Sequence, residues 1–196
     1  MAPRGQTRRQ ILDTAQTLFQ RQGYHATGVN QILAEAEAPK GTLYFHFPGG
    51  KEQLAAETVT RAAQEWGRAI DDALRQADDP ATAISEITDL LGDFLQRSGF
   101  RDGCPLATVA LEVAADSDQV QAACAHGYQH WITLIATHLR EREIPDDTAE
   151  ELAAFVLSSI EGALLLSRVR RDTTPLRQAA VRLTAIVAQE TPRKDT

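Results

Sequence analysis

Apolar side chains recur at helical spacing along nearly the whole chain, and in no window do they alternate with period two for long enough to suggest a strand. That pattern confines the fold to the all-α class. Ile11, Leu12, Ala15, Leu18 and Phe19 occupy one face of a first amphipathic helix, which Gly23 stops. Thr27 is placed to cap a short second helix carrying Val29, Ile32 and Leu33. After the connector "EAEAPKG", Pro39 suits the first turn of a third short helix that runs to about Phe45. Pro48-Gly49-Gly50 breaks it, and a long helix is expected from about Lys51 to Ala77. Pro80 opens a fifth helix to about Arg97, and the glycine-rich "SGFRDGCP" is a loop. Further helices are expected over about Pro105–Ala115, Asp118–Arg142, Asp147–Arg170 and from Thr174-Pro175 to about Gln189, about nine in all. The polar tail "TPRKDT", 191–196, is expected to be disordered.

At 196 residues the chain has room for one large or two small domains. The expected division is a head over 1–50, a body over 51–190 and the tail. Charge separates the first two. Residues 1–51 carry six basic and three acidic side chains, whereas the remainder carries 14 and 24, so a basic head stands on an acidic body. This implies an anionic partner for the head alone. No long apolar run suggests a membrane-spanning helix, and the N-terminus lacks the apolar core of a secretory signal. The expected location is the cytoplasm, where Cys104 and Cys124 would be reduced thiols packed as small hydrophobes.

Within the head, residues 27–46 read as helix, tight connector, helix, the format whose second helix enters the DNA major groove. The segment "APKGTLYFHFPGGKEQL", 38–54, supplies the chemistry such a helix needs. Lys40 suits a phosphate or guanine edge, and Thr42 a base or phosphate. Gly41 permits close approach of the backbone. Tyr44 and His46 can donate to phosphate oxygens, and Lys51 at a helix start suits another phosphate. Leu43 and Phe47 are assigned to the core.

The stretch "TRRQILDTAQTLFQRQGYHATGVNQILAEAEAPKGTLYFHFPGGKEQL" resembles the N-terminal domain of TetR-family transcriptional repressors, through its R-x-x-I-L-x-x-A-x-x-L-F opening, its G-Y-x-x-T junction and its K-G-x-L-Y-x-H-F segment. Two features depart from the commonest pattern: one extra residue between Phe47 and Lys51, and Ala38-Pro39 where valine-serine is usual. These, with "DGCPLATVALEVAADS" at 102–117, are similar to the LmrA/YxaF-like subgroup. The resemblance implies a homodimeric all-α repressor, with three helices binding an operator half-site and six forming a ligand pocket and a dimer interface. By motif position it implies that Thr27, Pro39, Lys40, Gly41, Thr42, Tyr44, Phe45, His46 and Lys51 line the DNA. It implies no cofactor and no enzymatic activity.

The body is less explicit. Trp66, Phe94, Leu106, Leu111, Tyr128, His130, Trp131, Phe155, Glu161 and Leu165 are candidates to line a pocket for a small, largely apolar organic molecule. Two stripes, Ala153, Leu157, Ile160 and Leu164 on one helix and Leu183 and Ile186 on the next, are candidates for the dimer interface. His126 and His130 stand four apart, a metal-ligand spacing, and would need a third ligand such as Glu112 or Glu161. The alternative to a DNA-binding regulator is therefore a helical-bundle metal protein or enzyme built on that pair.

Overall fold

The structure, a computed structural model, describes residues 4–191. Among these residues the chain forms nine helices: α1 (Arg4–Gln22), α2 (Val29–Glu35), α3 (Thr42–His46), α4 (Gly50–Gln76), α5 (Pro80–Arg97), α6 (Ala107–Val113), α7 (Asp118–Glu141), α8 (Asp146–Arg170) and α9 (Thr174–Glu190). The expected tail lies outside the described residues except for Thr191.

The local reasons mostly match the sequence. Gly23 ends α1 at φ +82°, its N–H donating to the Phe19 carbonyl at 2.9 Å. Asp79 caps α5 by accepting from the Thr82 N–H at 2.9 Å, and this bond holds its carboxyl below the usual carboxylate range. Ser117 accepts from the Val120 N–H at 3.2 Å at the start of α7. Two short helices start later than expected. Thr42 N–H donates to Pro39 O at 3.1 Å, so Pro39 belongs to the turn before α3 rather than to its first helical turn. Pro105 and Leu106 likewise precede α6.

Thr27 does not cap α2. The N-cap is Gly28, and the Thr27 hydroxyl instead donates to the Gly23 carbonyl at 2.7 Å. Standing one residue too early for α2, it satisfies an acceptor left over at the end of α1.

The chain divides into two compact units, and the division falls elsewhere than at residue 50. The first unit comprises Met1–Gln64 and Cys104–Tyr128; the second comprises Glu65–Gly103 and Gln129–Thr196. The first half of α4 stays with the head because Arg61 pairs with Asp13 and Arg8 with Glu57, tying α4 to α1. α6 joins the same unit by packing on α1.

In the second unit α9 packs against both α5 and α8. Ala153, Leu157, Ile160 and Leu164 are buried there, as is Leu183, while Ile186 is half-buried. The stripes expected to join two protomers therefore serve this chain's own core. Apolar groups on the opposite side are left exposed: Phe155, Leu165, Leu166 and Val169 on α8, and Val181 on α9. α8 is also long and apolar enough by composition to cross a membrane, contrary to expectation. Between Glu151 and Arg168 its one charged side chain is Glu161, and alanine, serine and glycine interleaved among the leucines keep that stretch apolar without a long continuous run of large apolar residues. Its buried face, Leu152, Val156, Ile160 and Ala163, is engaged within the second unit in the manner of a core helix.

Candidate nucleic-acid interface

α3 has five residues, and its two sides are sharply distinguished. Leu43 and Phe47, four apart, are fully buried. The Arg8 guanidinium lies 4.9 Å from the centre of the Phe47 ring. With those anchors inward, Tyr44 and Phe45 must point outward, and they are 64% and 65% exposed. Pro39, Lys40 and Gly41 are exposed beside them, and Thr42 and His46 are half-buried. Gly41 adopts φ +89°, the left-handed conformation that turns the connector into α3. Two exposed rings thus stand side by side on α3, next to the exposed Lys40 of the preceding turn.

The turn after α3 is held by a relay of side chains. Gly49 N–H donates to Gln53 Oε1 at 2.8 Å, Gln53 Nε2 donates to Glu57 Oε1 at 2.9 Å, and Glu57 pairs with Arg8. The extra residue of "FPGGK" is thus tied to α1, and α3 is fixed from both its buried face and its C-terminal turn. Gly50 adopts φ +69°, the left-handed conformation that starts α4 after this turn.

Lys51, expected at a helix start, stands in the first turn of α4 and rests against an aromatic ring. Its ammonium stands 4.1 Å from the centre of the Tyr24 ring. Burial pushes its pKa down, and the Glu112 carboxylate acts in the opposite sense. Thr27 is fully buried, so its side chain has no surface to offer DNA, and it leaves the set of contact residues.

The pocket candidates are dispersed. Leu106, Leu111 and Tyr128 belong to the first unit, and the other seven to the second. Leu111, Phe155 and Leu165 are exposed, because they lie on outward helix faces, and so do not wall a cavity. His130 is exposed as well, its ring occupying the space a Cβ at Gly67 would need. Trp131 and Leu106 are buried, Glu161 and Tyr128 are half-buried, and Trp66 meets Phe94 edge-on at 5.1 Å between ring centres. His126 and His130 fall in different units, and among the described residues no three His, Cys, Asp or Glu side chains are grouped to hold a metal ion. Glu112, offered above as a third ligand, is instead bonded to His25. Both cysteines are buried thiols outside any disulfide, and burial pushes the Cys124 thiol up to about 11.

Residues 11–58 match the family described as bacterial regulatory proteins, tetR family. Residues 80–182 match the C-terminal domain of LmrA/YxaF-like transcriptional regulators, over half of the chain. The chain belongs to the TetR family. YxaF of Bacillus subtilis strain 168, an uncharacterized HTH-type transcriptional regulator, is 36% identical over 190 residues, which are 97% of this chain and 100% of its own. LmrA of the same organism, an HTH-type transcriptional regulator, is 38% identical over 172 residues, 88% of this chain and 92% of its own. A TetR regulatory protein from Rhodobacter sphaeroides superposes with a TM-score of 0.81 at 23% identity, covering 90% of this chain and 96% of that one. This TetR-family chain is thus a transcriptional regulator with a DNA-binding helix-turn-helix, α2 and α3, and a helical C-terminal domain of the LmrA/YxaF type.

Proposed function

We propose that this regulator is a homodimeric repressor, resident in the cytoplasm, that leaves its operator when a small, largely apolar organic molecule binds its body. The observation that carries the DNA half of this reading is the division of α3 into a buried Leu43–Phe47 face and an exposed Tyr44–Phe45 face beside Lys40. Lys40, Tyr44 and His46 would meet phosphates, and Lys51 one more at the start of α4. Thr42 and Gly41 would approach base edges, while Pro39 and Phe45 offer apolar contact to a thymine methyl. No catalytic role is assigned to any residue.

The dimer rests on the outer face of α8 and α9. Phe155, Leu165, Val169 and Val181 supply exposed apolar area. Charge supports a two-fold arrangement: α8 is acidic in its first turn, at Asp146 and Asp147, and basic in its last, at Arg168 and Arg170. Two copies of α8 running antiparallel would set each acidic end against the other's basic end. Each head would then occupy one half-site, about 34–36 Å apart on successive turns of the duplex. For the ligand, the buried Trp131 and the half-buried Trp66, Phe94 and Glu161, all of the second unit, are the candidate contacts.

Binding selection from random duplexes, followed by a salt titration of the winner, tests the reading. A regulator yields a two-fold symmetric site with salt-dependent affinity, whereas a helix-turn-helix retained only as a scaffold selects nothing. For the ligand, compounds found by thermal shift are titrated with and without operator. An inducer lowers operator affinity by the same factor by which operator lowers its own.

A further inference from the structure

Glu112 grips the α1–α2 turn from α6. Its Oε2 accepts the His25 backbone N–H at 2.7 Å, and its own main-chain carbonyl lies 3.1 Å from His25 Nε2. The carboxylate reaches the turn only because residue 23 is glycine: a Cβ there would collide with it. The turn it grips does three things at once. It sets the angle at which α2 leaves α1. It holds the Thr27 hydroxyl against Gly23 O. It also carries Tyr24, the ring on which the Lys51 ammonium rests. α2 in turn packs on α3, so the placement of Lys40, Tyr44 and Phe45 depends on this turn. A neighbouring bond, from the Ser117 hydroxyl to Glu52, ties the start of α7 to the start of α4 in the same unit.

We propose that Glu112 is a positioning residue for DNA binding, fixing the helix-turn-helix through the His25 amide without touching DNA. The inference rests on the DNA-binding reading above. Glu112 is on a seven-residue helix whose buried anchors are Val109 and Val113. A helix so short is held by few apolar contacts, so a charge-assisted hydrogen bond at its C-terminal half weighs heavily on where the turn sits. Without it the turn has more positions open to it, and the entropy of restoring the DNA-bound one is charged to binding.

The test uses Glu112→Ala, Glu112→Asp and Glu112→Gln in the full chain, with a duplex chosen by selection on the wild type. Aspartate keeps the charge but is one methylene too short to reach the His25 amide; glutamine keeps the reach and an acceptor oxygen. Glu112→Ala and Glu112→Asp should bind the duplex roughly tenfold more weakly, the size of one hydrogen bond to a charged group. The dependence of affinity on salt should keep its slope, since no phosphate contact is lost. Glu112→Gln, which keeps the reach but only a neutral acceptor, should fall between wild type and Glu112→Asp, and the His25 amide should exchange fastest in the alanine and aspartate variants. A purely structural residue would lower thermal stability and leave the affinity of the folded protein unmoved. Wild-type affinity in Glu112→Asp, or glutamine as weak as aspartate, overturns the proposal. If Glu112→Ala does not fold, the aspartate and glutamine pair decides. A wild type that selects no duplex overturns the DNA-binding reading itself, a different result from either.

Discussion

Phe45 and Phe47 are the same residue two positions apart, and the structure assigns them opposite work. Phe47 is fully buried, with Leu43 on the same face and the Arg8 guanidinium over its ring, whereas Phe45 is 65% exposed. Truncating a buried phenylalanine to alanine costs about 3–5 kcal/mol, part from lost burial and part from the void left behind. A small domain holds about 5–15 kcal/mol in all, so Phe47→Ala should remove a large fraction of the stability of the unit that holds the head. Phe45→Ala should change stability by no more than about 0.5 kcal/mol, as exposed substitutions generally do. The ranking reverses on DNA. Phe45→Ala should fold normally and bind a selected duplex more weakly, with the loss concentrated on sequences carrying thymine at one position. Urea denaturation followed by far-ultraviolet circular dichroism gives the first pair of numbers, and fluorescence anisotropy with a labelled duplex gives the second. A Phe45→Ala variant destabilised by more than about 2 kcal/mol, or a Phe47→Ala variant as stable as wild type, would refute the assignment of α3's two faces.

Three further outcomes are expected. Lys40→Ala should weaken binding to all duplexes alike and reduce the slope of log affinity against log salt by about one, read from a salt titration. Leu165→Asp or Val181→Asp should give a folded monomer by sedimentation, whereas Leu157→Asp should unfold the second unit, because Leu157 is buried in its own chain. His138 is buried with its Nε2 unpartnered among the described residues, and burial, then Arg142, lower its pKa against the opposing pull of Glu141 and Asp71. The folded state therefore favours neutral imidazole, and the stability this gives is present above the unfolded value near 6.5 and lost as pH falls below it. The melting temperature should drop between pH 7 and 5, and drop less in His138→Leu.

The sequence carried the pattern of α3 because its information is local. Leu43 and Phe47 are four apart, so once one is inward the other follows, and Tyr44 and Phe45 are left outside. The helix breaks at Gly23, Pro80 and Pro175 are legible for the same reason. Thr27 shows where locality ends: a hydroxyl between two helices can serve the start of one or the end of the other, and only the shape of the turn decides. The stripes on α8 and α9 show a second limit. Periodicity says that Leu157, Ile160 and Leu183 are covered, but not by whom, and α5, α8 and α9 turn out to cover one another. The outward Phe155, Leu165 and Val169 form a weaker stripe hidden by the stronger one. Glu112 shows the third: its hydrogen bond joins residues 87 apart, and nothing near either end announces it.

The proposed function requires α3 to read DNA as one half of a symmetric pair. Its most direct test is the affinity of the purified chain for the duplex it selects, measured against a scrambled duplex from low to physiological salt. A homodimeric repressor should show a site with two-fold symmetry, half-sites one helical turn apart, and preference over the scrambled duplex by at least about a thousandfold at physiological salt. Equal affinity for the two duplexes at every salt concentration would contradict it.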